Sequence, residues 1–439
     1  MLPFDKKLRE YLKKNAEPVF ILLVTLGGVV GRFFLWDIYT GDMGAYLKWY
    51  AAAAKYGGLS GIYTLGQKIK GYNALFQLLT AAITHIPADP QYVFKAIWTV
   101  FDILLAWGVG RLVYDIAGTK DRPARQKAAM AYGLCFLSMD VIFNSAAWGQ
   151  SDAVYVSLIV WSMVWLFKDK YLKAFILLGL AFAFKLQTVF ILPFFAFYYI
   201  YKKSFSCLYF MLLPGMLIVS ALPRQIVGLL SPVTVQAAGN PATAQAAAAS
   251  AQVTAAAASS APAAQAGLHG IIDVYIAQIA SGGRLYMEYP SFWSFFPGVD
   301  ADVFTDFYKF RNTAIVFVFT LLMILMAVLL RRREHYSKRE LLCIALLLSF
   351  TTVFFLPCMI DRYGYLYEIL AIALVFIDKR SIIPAALMLI PMHYQIAGRV
   401  GVETLPVSIQ KLSFIMLIVY GMYLYLTFSG RKEDEHAGV

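Results

Sequence analysis

The sequence predicts an all-α polytopic membrane protein, with about 12 transmembrane helices and juxtamembrane helices in its first outer loop. Three observations carry that prediction. Hydrophobic residues make up 60% of the 439 positions and charged residues only 15%, at a mean hydropathy of +0.65. That is more apolar surface than a soluble core buries. Apolar runs of helical length recur from end to end. The basic residues behind the net charge of +12 lie in short clusters between those runs, as the positive-inside rule requires. They form no nucleic-acid-binding surface, so the bilayer is the expected partner.

The runs are 18–36, 73–87, 91–114, 128–147, 153–167, 171–184, 188–201, 205–222, 310–330, 341–357, 364–377, 381–398 and 409–428. Lys6 to Lys14, ahead of the first run, belongs on the cytoplasmic side, as do the clusters Lys120–Lys127, Lys168–Lys173, Lys202–Lys203, Arg331–Arg339, Asp378–Arg380 and Arg431–Lys432. All of them reach that side only if 73–87 does not cross. That run is short, follows Lys68 and Lys70, and ends at the break Pro87-Ala88-Asp89-Pro90. It reads as a helix lying in the outer interface. The first run is long and lacks a small-x-small cleavage site, so it is expected to stay as a helix.

The chain divides into a membrane module with the first outer loop (1–222), a long outer loop (223–309) and a second set of helices (310–439). Within the outer loop, 236–266 is almost entirely Ala with Ser, Thr, Gln and Pro. It offers neither an apolar stripe nor paired charges, so a mobile segment is expected there. Gly267 to Val299 regains complexity and is expected to pack over the mouth of an outer cavity. Cys135, Cys207, Cys343 and Cys358 have no CxxC spacing and read as buried thiols.

This topology brings the polar stretches to one face. Asp42, in T-G-D-M-G-A-Y-L-K-W with Tyr46, is either a solvated loop carboxylate or a general base. Asp37 reads as an interface residue. The corner W-G-Q-S-D places Gln150 and Asp152 beside the Trp148 indole. A flat apolar face with amide and carboxylate partners suits a sugar ring, though Ser151 or Asp152 also fits a helix cap. Lys185 and Gln187 interrupt an apolar stretch. The lysine either snorkels to the surface or meets a phosphate. In L-P-C-M-I-D-R-Y, Arg362 lies between apolar helices beside Asp361 and Tyr363, with Glu368 beyond. It suits a lipid phosphate, or a structural pair with a carboxylate. Arg284, and more remotely Arg399, are further phosphate candidates, and Trp293 a further sugar contact. No cofactor is required. Asp37 with Asp42 could hold a divalent ion, but no motif demands one, and neither G-x-S-x-G nor a P-loop occurs.

In order and spacing these residues resemble the GT-C superfamily of polytopic glycosyltransferases, and within it the bacterial relatives of the GPI mannosyltransferases. The likeness rests on G-D-M-x-x-Y-L-x-W, then Tyr72-Asn73-Ala74-Leu75, W-G-Q-S-D, K-L-Q at 185–187 and L-P-x-M-x-x-R-Y at 356–363. The chain departs from the usual family residues where Tyr72-Asn73-Ala74 stands in place of Tyr-Pro-Pro. Ile360-Asp361-Arg362-Tyr363 likewise replaces His-Glu-Arg-Tyr.

The resemblance implies an inverting transferase of a bacterial inner membrane, with its active site facing outward. It would move a hexose from a polyprenyl-phosphate donor to a hydroxyl of a polysaccharide, glycolipid or protein. Asp42 would be the base, while Arg362, Lys185 and Arg284 would bind the donor phosphate. Trp148, Gln150, Asp152, Gln187, Tyr363, Tyr46 and Trp293 would hold sugar or acceptor. Two rivals remain at this stage: a flippase or transporter of lipid-linked sugar, and a membrane O-acyltransferase built on His393.

Overall fold

The computed structural model describes residues 3–68, 73–230, 282–299, 302 and 305–429. The Ala-rich stretch 236–266 and Gly267–Ser281 lie outside them. Six helices are long and apolar enough to cross a membrane: Ala16–Phe33, Pro90–Ala117, Cys207–Leu230, Phe307–Arg332, Lys379–Arg399 and Ile409–Ser429. A seventh is added if Arg122–Leu137 and Met139–Trp148, bent by 50° at their junction, form one span. The protein is therefore an all-α integral membrane protein.

Length alone falls short of the expected count of crossings for a physical reason. Several apolar stretches fold as short helices: Asp152–Leu166, Tyr171–Phe184 and Tyr365–Val375 have 15, 14 and 11 residues. At 1.5 Å per residue, even the longest spans only about 22 Å of a roughly 30 Å hydrocarbon core. The stretch after Lys185 is split into a 3-10 turn, Leu186–Ile191, and a helix, Leu192–Lys202. The run expected to lie in the interface forms Ala74–Ile83, only 10 residues long.

The bundle is arranged around Pro90–Ala117, with 56% of its most apolar 18-residue stretch buried, whereas Ala16–Phe33 has only 11% buried and presents Leu22, Leu23, Leu26 and Val30 outward. An aromatic stack joins this central helix to the helices Gly41–Lys55 and Ala74–Ile83. Phe76 and Phe94 lie parallel at 6.3 Å, Phe94 and Trp98 at 5.9 Å, and Tyr46 rests on Phe76 at 5.0 Å. Flat rings stacked with an offset bury a large area at fixed geometry, so the segment between Ala16–Phe33 and Pro90–Ala117 is seated on the bundle.

Residues 282–299 return to the bundle and strap one of its loops. Tyr286–Met287 pairs in parallel with Met359–Ile360, and the Cys358 amide donates to the Leu285 carbonyl at 2.8 Å. The Trp293 indole donates to the Phe355 carbonyl at 2.6 Å, so Trp293 anchors this segment and does not stand at the Asp42 site. One expectation about the cysteines fails: Cys207 is exposed, because it opens a short 3-10 turn at the end of a lipid-facing helix.

A fully buried ion pair links three helices near the C-terminal end of Ala16–Phe33. Arg32 Nε donates to Asp102 Oδ2 at 2.8 Å, and both side chains are 0% exposed. The other guanidinium nitrogens donate to the carbonyls of Phe136, at 2.7 Å, and Gly28, at 3.2 Å. Ser145 donates to the same Asp102 oxygen at 2.5 Å. Removing one member leaves an uncompensated charge in a dry interior, which costs about 3–5 kcal/mol. Arg32→Met or Asp102→Leu alone is therefore expected to lower the thermal-unfolding midpoint in detergent sharply. The double variant Arg32→Met/Asp102→Leu is expected to recover much of the loss, and equal loss in all three would overturn this reading.

Candidate functional site

Asp42 stands at the start of the helix Gly41–Lys55, capped by Thr40, whose hydroxyl accepts from the Met43 amide at 3.2 Å. A carboxylate in the first turn is favoured by the unpaired amides of a helix N-terminus. The same Thr40 hydroxyl donates to the Trp148 carbonyl at 2.7 Å, tying this turn to the W-G-Q-S-D corner.

That corner is shaped by a π-helical stretch, Phe143–Trp148, closed by Gly149 at φ +82°. A side chain at Gly149 would be strained at that φ, which favours glycine at this turn beside the Met43 side chain. The result is a converging set of donors. Trp148 Nε1 donates to Asp42 Oδ2 at 2.7 Å, Gln150 Nε2 at 2.5 Å and Arg362 Nη1 at 3.3 Å. Three stretches far apart in sequence thus meet on one carboxylate oxygen. Asp42 remains 43% exposed, against 17% for Arg362, and among the described residues all three bonds go to Oδ2.

A second carboxylate lies behind the first. Asp152, 1% exposed, opens the helix Asp152–Leu166. Its Oδ1 accepts from Lys185 Nζ at 2.5 Å, its Oδ2 accepts from Asn144 Nδ2 at 3.0 Å, and Arg362 Nε lies 3.7 Å from Oδ2. Lys185 does not snorkel: it is 5% exposed and committed to Asp152. Arg362 bridges the two carboxylates and lies 5.3 Å above the Trp148 ring, a cation–π distance. Two cations and two carboxylates balance, as burial among apolar helices requires.

The remaining sequence candidates take other places. Tyr46 is buried and its hydroxyl donates to Gln150 Oε1 at 3.4 Å, so it orients Gln150 and lies beneath the site. Tyr363 packs on Phe190 with ring centroids 5.5 Å apart. Gln187 is half-buried, and its Oε1 has no hydrogen-bond partner among the described residues. Arg284 is exposed and lies in a separate groove with Arg399. Asp37 accepts the Tyr92 hydroxyl. Among the described residues no group of three or more His, Cys, Asp or Glu is arranged to hold a metal ion.

Asp361 forms an ion pair with Arg399, which in turn pairs with Glu288. Burial pushes the Asp361 carboxyl up to about 6, while neighbouring Arg362 pulls the other way. Behind Arg362 a cavity of about 20 Å³, room for a single water, is walled by Asp140, Asn144, Asp361, Arg362 and Glu368. His393 Nε2 lies 3.0 Å from Asp140 Oδ2 in this acidic wall.

Lys95 is the residue that sequence reasoning missed. It is 0% exposed on the second turn of Pro90–Ala117. Its ammonium donates to the carbonyls of Ile38 at 2.6 Å and Trp36 at 2.9 Å, and more weakly to Leu35 and Ala147, both at 3.4 Å. It therefore pins the turn before Asp42 to the residue before Trp148. In the sequence it is a lone lysine near a helix start, with nothing to distinguish it from an interfacial lysine.

No protein-family model matches the chain, and no curated protein is a significant match to it. The reading of the site rests on its geometry. A hydrogen bond to a charged group contributes about 1.5–3 kcal/mol, so its loss allows local opening about ten- to a hundredfold more often. Lys95→Met is expected to speed amide hydrogen exchange in Leu35–Met43 and Ala147–Gly149 by that factor, with less change in Lys95→Arg. Unchanged exchange in both segments would remove the pinning role.

Proposed function

We propose that the protein is an inverting glycosyltransferase that moves a hexose from a polyprenyl-phosphate donor to an acceptor hydroxyl. One observation carries this reading. A half-exposed carboxylate, Asp42, converges with an indole N–H, a side-chain amide and a guanidinium supplied by distant parts of the chain. A hydroxyl group that approaches Asp42 meets a proton acceptor, and an arginine stands beside it for a departing phosphate.

The chemistry follows from those groups. The acceptor oxygen attacks the anomeric carbon from the face opposite the phosphate, and its proton passes to Asp42. The carbon–oxygen bond to phosphate breaks, and the electron pair leaves with the lipid phosphate. Arg362 meets the charge that develops there with its planar fork of N–H donors. Arg362 pairs with Asp42. A donor phosphate draws the guanidinium to itself, and Asp42 then keeps its two neutral donors, Trp148 and Gln150.

The reading includes a topology of about twelve crossings with both termini inside. It counts the short helices 152–166, 171–184, 186–202, 338–355 and 365–375 as crossings. Asp42, Trp148, Lys185 and Arg362 then share the outer face of a bacterial inner membrane. Short, broken helices are tolerated at membrane depth where protein rather than lipid surrounds them, and Asp152–Leu166 is buried along most of its length.

The test is transfer from radiolabelled polyprenyl-phosphate hexoses to membrane-extracted acceptors by the purified protein in liposomes. Asp42→Asn is expected to lower kcat by about 10²–10⁴ with little change in donor KM, the range of a lost general base. Arg362→Lys is expected to fall less than Arg362→Ala, because lysine keeps the charge but not the fork. Lipid-linked sugar crossing the bilayer equally well in wild type and Asp42→Asn, with no transfer by either, would replace this reading with a flippase.

A further inference from the structure

A second concave surface lies across Asp361 from the Asp42 site. It is a groove of about 710 Å³ lined by Arg284, Tyr286, Glu288, Phe296, Ile360 and Arg399, among others. That volume falls within the range of ligand-binding pockets. We infer that this groove binds a saccharide chain of the acceptor, positioned so that its terminal residue reaches Asp42. The inference rests on the proposed transferase reading and narrows its acceptor to a glycan.

The lining chemistry favours a polyhydroxyl ligand. Phe296 is 48% exposed, and its ring is braced by Phe292 at 5.5 Å and Trp293 at 6.1 Å. A rigid, half-open ring offers a flat apolar face to the CH side of a sugar. The same lining carries Arg284, Glu288 and Arg399, and Arg399 pairs both with Glu288 and with the buried Asp361. Guanidinium donors and a carboxylate acceptor in one lining suit hydroxyl groups. A lipid chain would need a lining without these charges. A peptide would need a longer strand edge than the two-residue pair Tyr286–Met287 and Met359–Ile360.

The groove is also connected to the chemistry. Ile360 lines it, Asp361 pairs with Arg399 at its end, and the next residue is Arg362, which touches Asp42. Two non-glycine residues with left-handed backbones, Glu288 at φ +65° and Cys358 at φ +63°, flank the strand pair. Such conformations persist where the surroundings over-determine them, and they gather at ligand clamps. Here Glu288 is held with its carboxylate on Arg399.

The experiment is saturation-transfer difference NMR on the full-length protein in nanodiscs. The probes are mannotriose, maltotriose and a Ser/Thr-rich octapeptide, with glycosyl transfer measured on the same preparations. A trisaccharide is expected to bind and the peptide not to, with the saccharide Kd raised about tenfold or more in Phe296→Ala, a loss of about 1.4 kcal/mol. Met287→Trp, which narrows the groove without removing a charge, is expected to block binding, and Asp42→Asn to leave it intact. Binding of the peptide alone, or saccharide binding indifferent to both groove variants in protein of unchanged thermal midpoint, would overturn the inference even if transfer persists. Saccharide binding that responds to Phe296→Ala while no donor is ever consumed would instead overturn the transferase reading and leave the groove as a glycan site.

Discussion

The site depends on keeping charge balanced among apolar helices. Arg362 is 17% exposed and sits between Asp42 and Asp152, and Asp152 is shared with Lys185. Removing Lys185 or Asp152, both buried, leaves the partner's charge in a medium that cannot solvate it, which is why such groups come as a set. The same demand makes the set useful. A guanidinium that already bridges two carboxylates can pass from one anion to another.

Balance alone would not hold Asp42 in place, because its loop must first be brought to the W-G-Q-S-D corner. Three independent ties do this. The Thr40 hydroxyl reaches the Trp148 carbonyl, Gly149 allows Met43 to close against it, and Lys95 spends its ammonium on carbonyls from both loops. A buried lysine with only carbonyl partners is an unusual choice. It makes sense where the partners are carbonyls just past the end of Ala16–Phe33, where a helix presents unsatisfied acceptors and a partial negative charge. The aromatic stack from Tyr46 to Trp98 supports the arrangement from below, so the helix that carries Asp42 is seated on the buried helix Pro90–Ala117.

Much of this was legible in the sequence because charge in an apolar chain is conspicuous. Asp42, Trp148, Gln150, Asp152, Lys185 and Arg362 each interrupt or end an apolar run, and the structure brings all six together. Positive-inside counting sets Ala74–Ile83, a helix of 10 residues, apart from the crossing candidates. What failed to show was anything decided by packing. Trp293 and Tyr46 look like sugar contacts by residue type, yet one anchors a strap to Phe355 and the other orients Gln150. Arg284 looks like any other phosphate-binding arginine until the strand pair carries it into a separate groove. Window counting cannot see the π-helical stretch or the 50° bend that turns Trp148 toward Asp42, because neither leaves a hydropathy signature.

The ground behind Arg362 is acidic. Asp140, Asp361 and Glu368 wall the small cavity at its back, with His393 against Asp140. A phosphate approaching from that side would meet carboxylates at close range in a low-dielectric medium, where repulsion is strong. Trp148 lines that cavity as well, so the indole and the carboxylates close round the same side of the guanidinium. His393 stands beside this wall with its side chain 29% exposed and its Nε2 3.0 Å from Asp140 Oδ2. Arginine rather than lysine fits this position because a delocalised guanidinium stays charged when buried and can face carboxylates on one edge and a phosphate on the other.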